Sequence, residues 1–319
     1  MSRGGDGPPG SRFPHPLPAG WFMIAHSDGV APGEVRPERI FDREWALFRT
    51  ESGRVALIDA FCPHLGAHLG HGGRVEGEML ECPFHGWRFE TSGTCSAIPY
   101  AKRKPSGGEV RVCEIVEHGG RVWAWFASDE RAPSFAVPTI AEEIDAAWEE
   151  LERRDWKIHS CLQELSENGA DSAHFRFVHD MPEIPEMNPR FEGPHVVSRI
   201  ETAFPTRPGE KVPVQIDVTS LGMGCDVMRY SGGIELLEVV SKTPIDAETV
   251  RVDVSFRMPR SSSQAQEEVL RDLAEWLIWQ FSKDIPIWEN KLYRETPALC
   301  DGDGPITEFR RWCRQFYPD

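Results

Sequence analysis

Short apolar runs, some with polar residues at alternate positions, mark the first third of the chain and predict β-strands. They fall at residues 20–25, 44–49, 54–59, 109–116 and 121–126, with turns at Glu51-Ser52-Gly53 and at His118-Gly119-Gly120, the second a hairpin signal. Residues 20–127 thus read as a small all-β domain. The charged, proline-containing stretch 129–138 reads as a linker. A polar helical region is expected next. Strict alternation then returns at 211–218, with Val212, Val214, Ile216 and Val218 on one face, and at 249–256, with Val250, Val252, Val254 and Phe256. The more continuous apolar run 234–240 predicts a central strand. Residues 264–291 carry Leu270, Leu273, Leu277, Phe281 and Trp288 at spacings of three and four with one gap, the pattern of a long amphipathic helix. Antiparallel strands followed by one long helix make an α+β domain, helix-grip-like, whose antiparallel sheet wraps the helix and leaves a pocket between them. The expected division is a disordered Gly/Pro/Ser-rich tail at 1–12, a first domain at 13–128, the linker, and a second domain at 139–319.

Composition narrows the partners more than the chemistry. A chain of 319 residues can bury two cores, and a formal charge of −16 disfavours nucleic acid and anionic membrane surfaces. No window approaches 18 uninterrupted apolar residues, so no membrane span is expected. Eight cysteines without a signal peptide point to a reduced, cytoplasmic setting rather than a disulfide scaffold.

The chemistry begins at Cys62-Pro63-His64 and Cys82-Pro83-Phe84-His85, a C-x-H, a spacer and a C-x-x-H. A zinc finger pairs cysteine with cysteine and histidine with histidine, whereas each half here holds one of each. A Rieske [2Fe-2S] centre gives two thiolates to one iron and two imidazoles to the other, so two loops can each supply one ligand to each iron. The mixed pairs fit that centre better than tetrahedral zinc. Pro63, Pro83, Gly66 and Gly86 suit tight loops with backbone N–H groups aimed at sulfur. His68 and His71, in the spacer, read as solvated loop residues, and Cys95, Cys113, Cys161, Cys225, Cys300 and Cys313 as small buried side chains.

A second constellation is Asn168-x-x-Asp171-x-x-His174-x-x-x-x-His179. Asp171 and His174 share a face if helical, and a carboxylate there can fix the tautomer of a metal-bound imidazole. His174 and His179 converge only if the helix bulges or ends between them. Two histidines and one carboxylate complete a facial triad with open positions on iron. Of Asp272, Glu275, Asp284 and Glu289 on the long helix, Asp284 falls in the gap of the apolar stripe, where an unpartnered carboxylate is costly. The others read as solvated charges. Pro286 offers a kink to aim Asp284.

Together these motifs resemble the terminal oxygenase component of Rieske non-heme iron oxygenases, over nearly the whole chain after the tail. The resemblance implies that Cys62 and Cys82 hold one cluster iron and His64 and His85 the other, and that His174, His179 and Asp284 hold the mononuclear iron. Asn168 would lie just behind the ligands of that iron and support them. It also implies a head-to-tail homotrimer in which Asp171 bridges His174 to His85 of the next subunit and conducts the electron. Residues 284–293 with Pro297-Ala298-Leu299, the ending 310–317, and Ile98-Pro99-Tyr100-Ala101 are similar to cholesterol 7-desaturases and 3-ketosteroid 9-alpha-hydroxylase oxygenases. That branch implies oxygen-dependent hydroxylation, desaturation or demethylation of a steroid. A smaller aromatic or other ring compound is the alternative substrate, and a non-catalytic Rieske electron carrier the alternative class. No Gly-x-Gly-x-x-Gly follows a strand, so a separate NAD(P)H-dependent reductase is expected. The substrate-lining residues are not legible.

Overall fold

The structure is a computed structural model and describes residues 12–207 and 210–318. The tail expected at 1–12 lies outside them except for Arg12, whose guanidinium donates to the carbonyls of Glu289 and His159. The chain forms two compact units, residues 23–126 and residues 127 onward, the latter together with the stretch up to Phe22. The sequence reading begins the first domain at residue 13, yet Phe13–Phe22 packs with the second unit. There Ala19 N–H donates to Phe316 O at 2.6 Å, Trp21 Nε1 to Phe135 O at 2.9 Å, and His15 stacks on Tyr317.

The smaller unit is built on three sheets, two of them antiparallel throughout. One aligns Gly20–His26, Arg121–Phe126 and Ile115–His118. Its hairpin turns at Gly119 and Gly120, both with positive φ, as a two-residue type I′ loop requires. The expected strand at 109–116 shrinks to Ile115–His118, with Val112 making only an isolated bridge to Ile58. A second sheet, Val35–Ile40, Arg43–Arg49 and Val55–Asp59, contains a strand the sequence reading missed. Its hairpin turns on Phe41 and Asp42, both left-handed without glycine, and Phe41 is held there by stacking on Phe126 at 4.6 Å. The third sheet, Arg74–Glu76, Met79–Glu81, Arg88–Glu90 and Cys95–Ala97, was also missed, because its strands of three residues carry no periodicity.

The larger unit is a seven-stranded antiparallel sheet in the order Trp148–Ile158, Thr249–Pro259, Leu236–Asp246, Cys225–Gly232, Glu210–Leu221, His195–Arg207 and Arg190–Glu192. Leu236–Asp246 is buried on both faces for nine residues, as its continuous apolar run predicts. The polar helical region expected after the linker is a correction: it supplies only Ala141–Ile144, and Trp148–Ile158 is an edge strand. Its Glu, Arg and Lys residues hide the alternation, and charge on an edge discourages pairing with other chains. The helix Gln264–Asn290 starts in a capping box, Ser263 with Gln266, and continues through Pro286. It lies on the sheet, with Arg271 Nη1 donating to Leu151 O at 2.8 Å and Phe281 meeting the Trp156 ring at 5.0 Å. Leu270, Ala274, Gln280, Asp284 and Trp288 form its buried face. No helix among the described residues is long and apolar enough to cross a membrane.

Candidate metal centres and family

In the smaller unit, two loops with one backbone design bring the first four candidates together. Cys62 N–H donates to Ala67 O and Gly66 N–H to Cys62 O; Cys82 N–H donates to Trp87 O and Gly86 N–H to Cys82 O. Gly66 and Gly86 both sit at positive φ, so each Cys-Pro-x-x-Gly closes the same turn. Both cysteines are buried in the unit's core, with their thiols in hydrogen-bonding contact. Burial pushes the Cys62 thiol up to about 11, opposed by the His64 backbone N–H. A buried thiol pair is inert as thiols, and a metal cluster reverses that by binding the thiolates. The His64 and His85 rings lie 4.6 Å apart, and His64 stacks on Trp87, whose Nε1 donates to Tyr100. Two buried sulfurs beside two paired imidazoles are the donor set of a Rieske centre. His68 stands outside the set. It is not a freely solvated residue as expected: it is half-buried, its Nδ1 accepts from Gly70 N–H, and its Nε2 lies 3.5 Å from Glu44. His71 is exposed, as is Cys300, unlike the other five remaining cysteines.

In the larger unit, one ligand atom each from His174, His179 and Asp284 lie within 4.8 Å of one another. The chain breaks its helix to achieve this. Leu162–Glu167 passes into a 3-10 turn at Asn168–Ala170, Asp171 is extended, and His174–Phe177 is a single turn. His179 follows that turn, so its ring meets His174 at 5.0 Å. Asp284 is 4% exposed and its Oδ2 lies 3.3 Å from His179 Nε2. Asn168 Nδ2 reaches His174 Nε2 at 3.1 Å and Asp284 Oδ2 at 3.4 Å. Asp171 differs from the expected geometry. Its carbonyl, not its carboxylate, takes His174 Nδ1–H, while its Oδ1 accepts the His174 backbone N–H at 3.3 Å. That contact leaves the lone pair of the ring on His174 Nε2, where Asn168 Nδ2 donates. Burial lowers the His174 pKa, keeping the ring in the neutral form a metal requires. The buried His179 Nδ1 has no hydrogen-bond partner. Two imidazoles and a buried carboxylate converging on one point fit an iron-sized ion. On the same helix Glu289 accepts from His159 N–H, whereas Asp272 and Glu275 are exposed.

Residues 124–317 match the family model described as 3-Ketosteroid 9alpha-hydroxylase C-terminal domain, and residues 20–116 match the Rieske [2Fe-2S] domain. The chain belongs to this family of Rieske oxygenases. Relatives include the cholesterol 7-desaturase of Caenorhabditis elegans, 30% identical over all of this chain and 80% of its own length. Another is the oxygenase component of 3-ketosteroid-9-alpha-monooxygenase from Rhodococcus rhodochrous, 29% identical over 94% of this chain and 84% of its own. Among solved structures, apo dicamba monooxygenase shares the fold at a TM-score of 0.74 and 18% identity, covering 96% of this chain and 98% of its own.

Several supports of the oxygenase's candidate iron site were not read from the sequence. Gln280 Nε2 donates to His179 O, and Lys283 Nζ donates to Val178 O at 3.0 Å and Asp180 Oδ2 at 2.7 Å, so the helix that carries Asp284 also grips the backbone around His179. Gly304 lies against the Ala170 carbonyl, where an added Cβ would come within 2.0 Å. Arg310 makes a bidentate pair with Glu167, the residue before Asn168. Such contacts join residues more than a hundred positions apart and leave no local pattern. Lys283→Met is expected to lower Fe(II) affinity about 10- to 100-fold, the usual effect of losing a group that orients a ligand. Anaerobic Fe(II) titration of protein with its cluster in place checks this, with Lys283→Arg recovering part of the loss. Unchanged affinity in Lys283→Met would mean that the loop is held without the clamp.

Proposed function

We propose that this oxygenase hydroxylates or desaturates a steroid or sterol ring, with Cys62, His64, Cys82 and His85 holding a [2Fe-2S] cluster and His174, His179 and Asp284 holding a mononuclear iron. The observation that carries it is the convergence of the three ligand atoms on the buried side of the long helix, inside a domain of the 3-ketosteroid 9α-hydroxylase type. When bound, the cluster supplies single electrons and the iron supplies dioxygen activation. A dicamba monooxygenase of related fold is described with non-heme iron and dicamba. The steroid substrate class rests on relatives named for cholesterol and 3-ketosteroids.

The protein's own residues orient and exclude. Asp171 and Asn168 fix the His174 ring, Gln280 and Lys283 hold the His179 backbone, and the sheet's valine-rich inner strands keep water from the ring being attacked. A homotrimer, with Asp171 joining His174 to His85 of the neighbouring subunit, suits the cluster loops. Their tips expose Leu65 and Phe84, an apolar rim fit for a protein partner. Electrons enter from a separate reductase, as the relative's description as an oxygenase component requires. Among the described residues no disulfide joins any of the eight cysteines, which suits a reduced compartment.

Iron and sulfide analysis of anaerobically purified protein, with electron paramagnetic resonance before and after adding cholesterol or a 3-ketosteroid, tests the reading. About three irons to two sulfides per chain and a Rieske signal perturbed by steroid are expected. A steroid-silent signal at full metal loading would move the substrate to a smaller ring compound. A loaded protein with iron and sulfide in equal number would leave an electron carrier.

A further inference from the structure

Antiparallel neighbours directly opposite each other point to one side of a sheet, and alternate residues of a strand share that side. Trp156 meets Phe281 of the long helix and pairs in register with Val252, which pairs with Lys242. The side facing the helix therefore carries Val252, Val254 and Phe256 on one strand, Glu238, Val240 and Lys242 on the next, and Asp226, Met228 and Tyr230 on the third. It is an apolar wall broken by two polar pairs. Lys242 binds Asp226 at 2.6 Å and Ser166 Oγ at 3.0 Å, two residues before Asn168, which places that pair at the iron-site end. Tyr230 donates to Glu238 Oε2 at 2.6 Å, with the two residues only 4% and 6% exposed.

The Glu238 carboxyl accepts that hydrogen bond inside the wall, and no cationic side chain is paired with it among the described residues. Desolvating a carboxyl in a hydrocarbon wall is costly, and a wall that served packing alone would carry an apolar side chain at that position. Glu238 and Lys242 are four residues apart on one strand, so about 13 Å separates the two polar pairs along the wall. That span suits a rigid fused-ring molecule held by an oxygen at one end with a carbon further along near the iron.

We propose that Tyr230 and Glu238 form the polar end of the substrate site, a hydrogen-bonding post for a single keto or hydroxyl oxygen on an otherwise apolar fused-ring substrate. The assignment rests on the steroid reading above and adds the feature of the steroid that is recognised. Burial pushes the Glu238 carboxyl up to about 7, although Tyr230 opposes the shift, so near neutral pH both acid and carboxylate are present. The acid donates to a keto oxygen, and the carboxylate accepts from a hydroxyl.

Anaerobic equilibrium dialysis of the metal-loaded protein against cholesterol, its 3-keto analogue and the parent hydrocarbon cholestane tests the post. The wild type should bind both oxygenated sterols about tenfold or more tighter than cholestane. The double variant Tyr230→Phe/Glu238→Leu replaces both partners with apolar groups of similar shape, so it should fold with its cluster spectrum intact, keep cholestane and lose the preference. Equal wild-type affinity for cholesterol and cholestane would overturn the post and leave the steroid reading standing. A double variant that weakens all three ligands alike would make the pair a structural brace and also overturn it. Failure of any sterol to bind would remove both readings.

Discussion

Asp284→Ala is expected to empty the mononuclear site and abolish turnover while the visible spectrum of the cluster stays that of the wild type. Among the described residues Asp284 is the carboxylate that groups with the ring nitrogens of His174 and His179, and it reaches them from a different part of the chain. Without it only the two imidazoles remain, and they supply neither the third ligand nor the negative charge that balances Fe(II). The proposed cluster ligands lie in the other compact unit, whose core contains Cys62 and Cys82 but no part of the long helix. Iron per chain should therefore fall from about three to about two with sulfide unchanged. His174→Ala should give the same separation of signals. Loss of the cluster spectrum in either variant would report misfolding, and full iron content with turnover in Asp284→Ala would remove it from the ligand set.

What could be read from the sequence follows from how local each interaction is. The cluster loops close within Cys62–Ala67 and Cys82–Trp87, so cysteine, proline, glycine and histidine stand together in sequence as they do in space. Asp284 was legible for another reason: a carboxylate in the gap of an apolar stripe violates the burial pattern, and only a partner relieves it. Lys283, Gln280 and Gly304 leave no such trace, because a lysine on a half-buried helix face or a glycine near the chain end has many ordinary explanations. In the fold, Trp148–Ile158 was hidden by its charge. The hairpin at Phe41-Asp42 was hidden because tertiary stacking, not glycine, stabilises its left-handed residues. The tautomer contact to His174 was expected from the Asp171 side chain, but the break in the helix turns the Asp171 carbonyl toward the ring.

That break changes what Asp171→Ala can mean, and Asp171→Asn becomes the sharper test. The carbonyl that takes His174 Nδ1–H survives any substitution at 171, so the His174 tautomer should persist in both variants. The carboxylate also caps the His174 backbone N–H, and asparagine keeps an oxygen for that bond while alanine does not. If the side chain conducts between subunits, its charge and acceptor capacity toward an incoming imidazole matter more than its cap. Both variants should then retain cluster and iron, and Asp171→Asn should fall about 10- to 100-fold in turnover despite its intact cap. Single-turnover reduction, in which a pre-reduced cluster is followed by its visible absorbance after substrate and oxygen are added, reads the step directly. Slow cluster reoxidation in Asp171→Asn would place the loss in electron transfer. Wild-type reoxidation in Asp171→Asn with a deficit in Asp171→Ala alone would reduce Asp171 to a helix cap, and the bridge would have to be sought in another residue near His174.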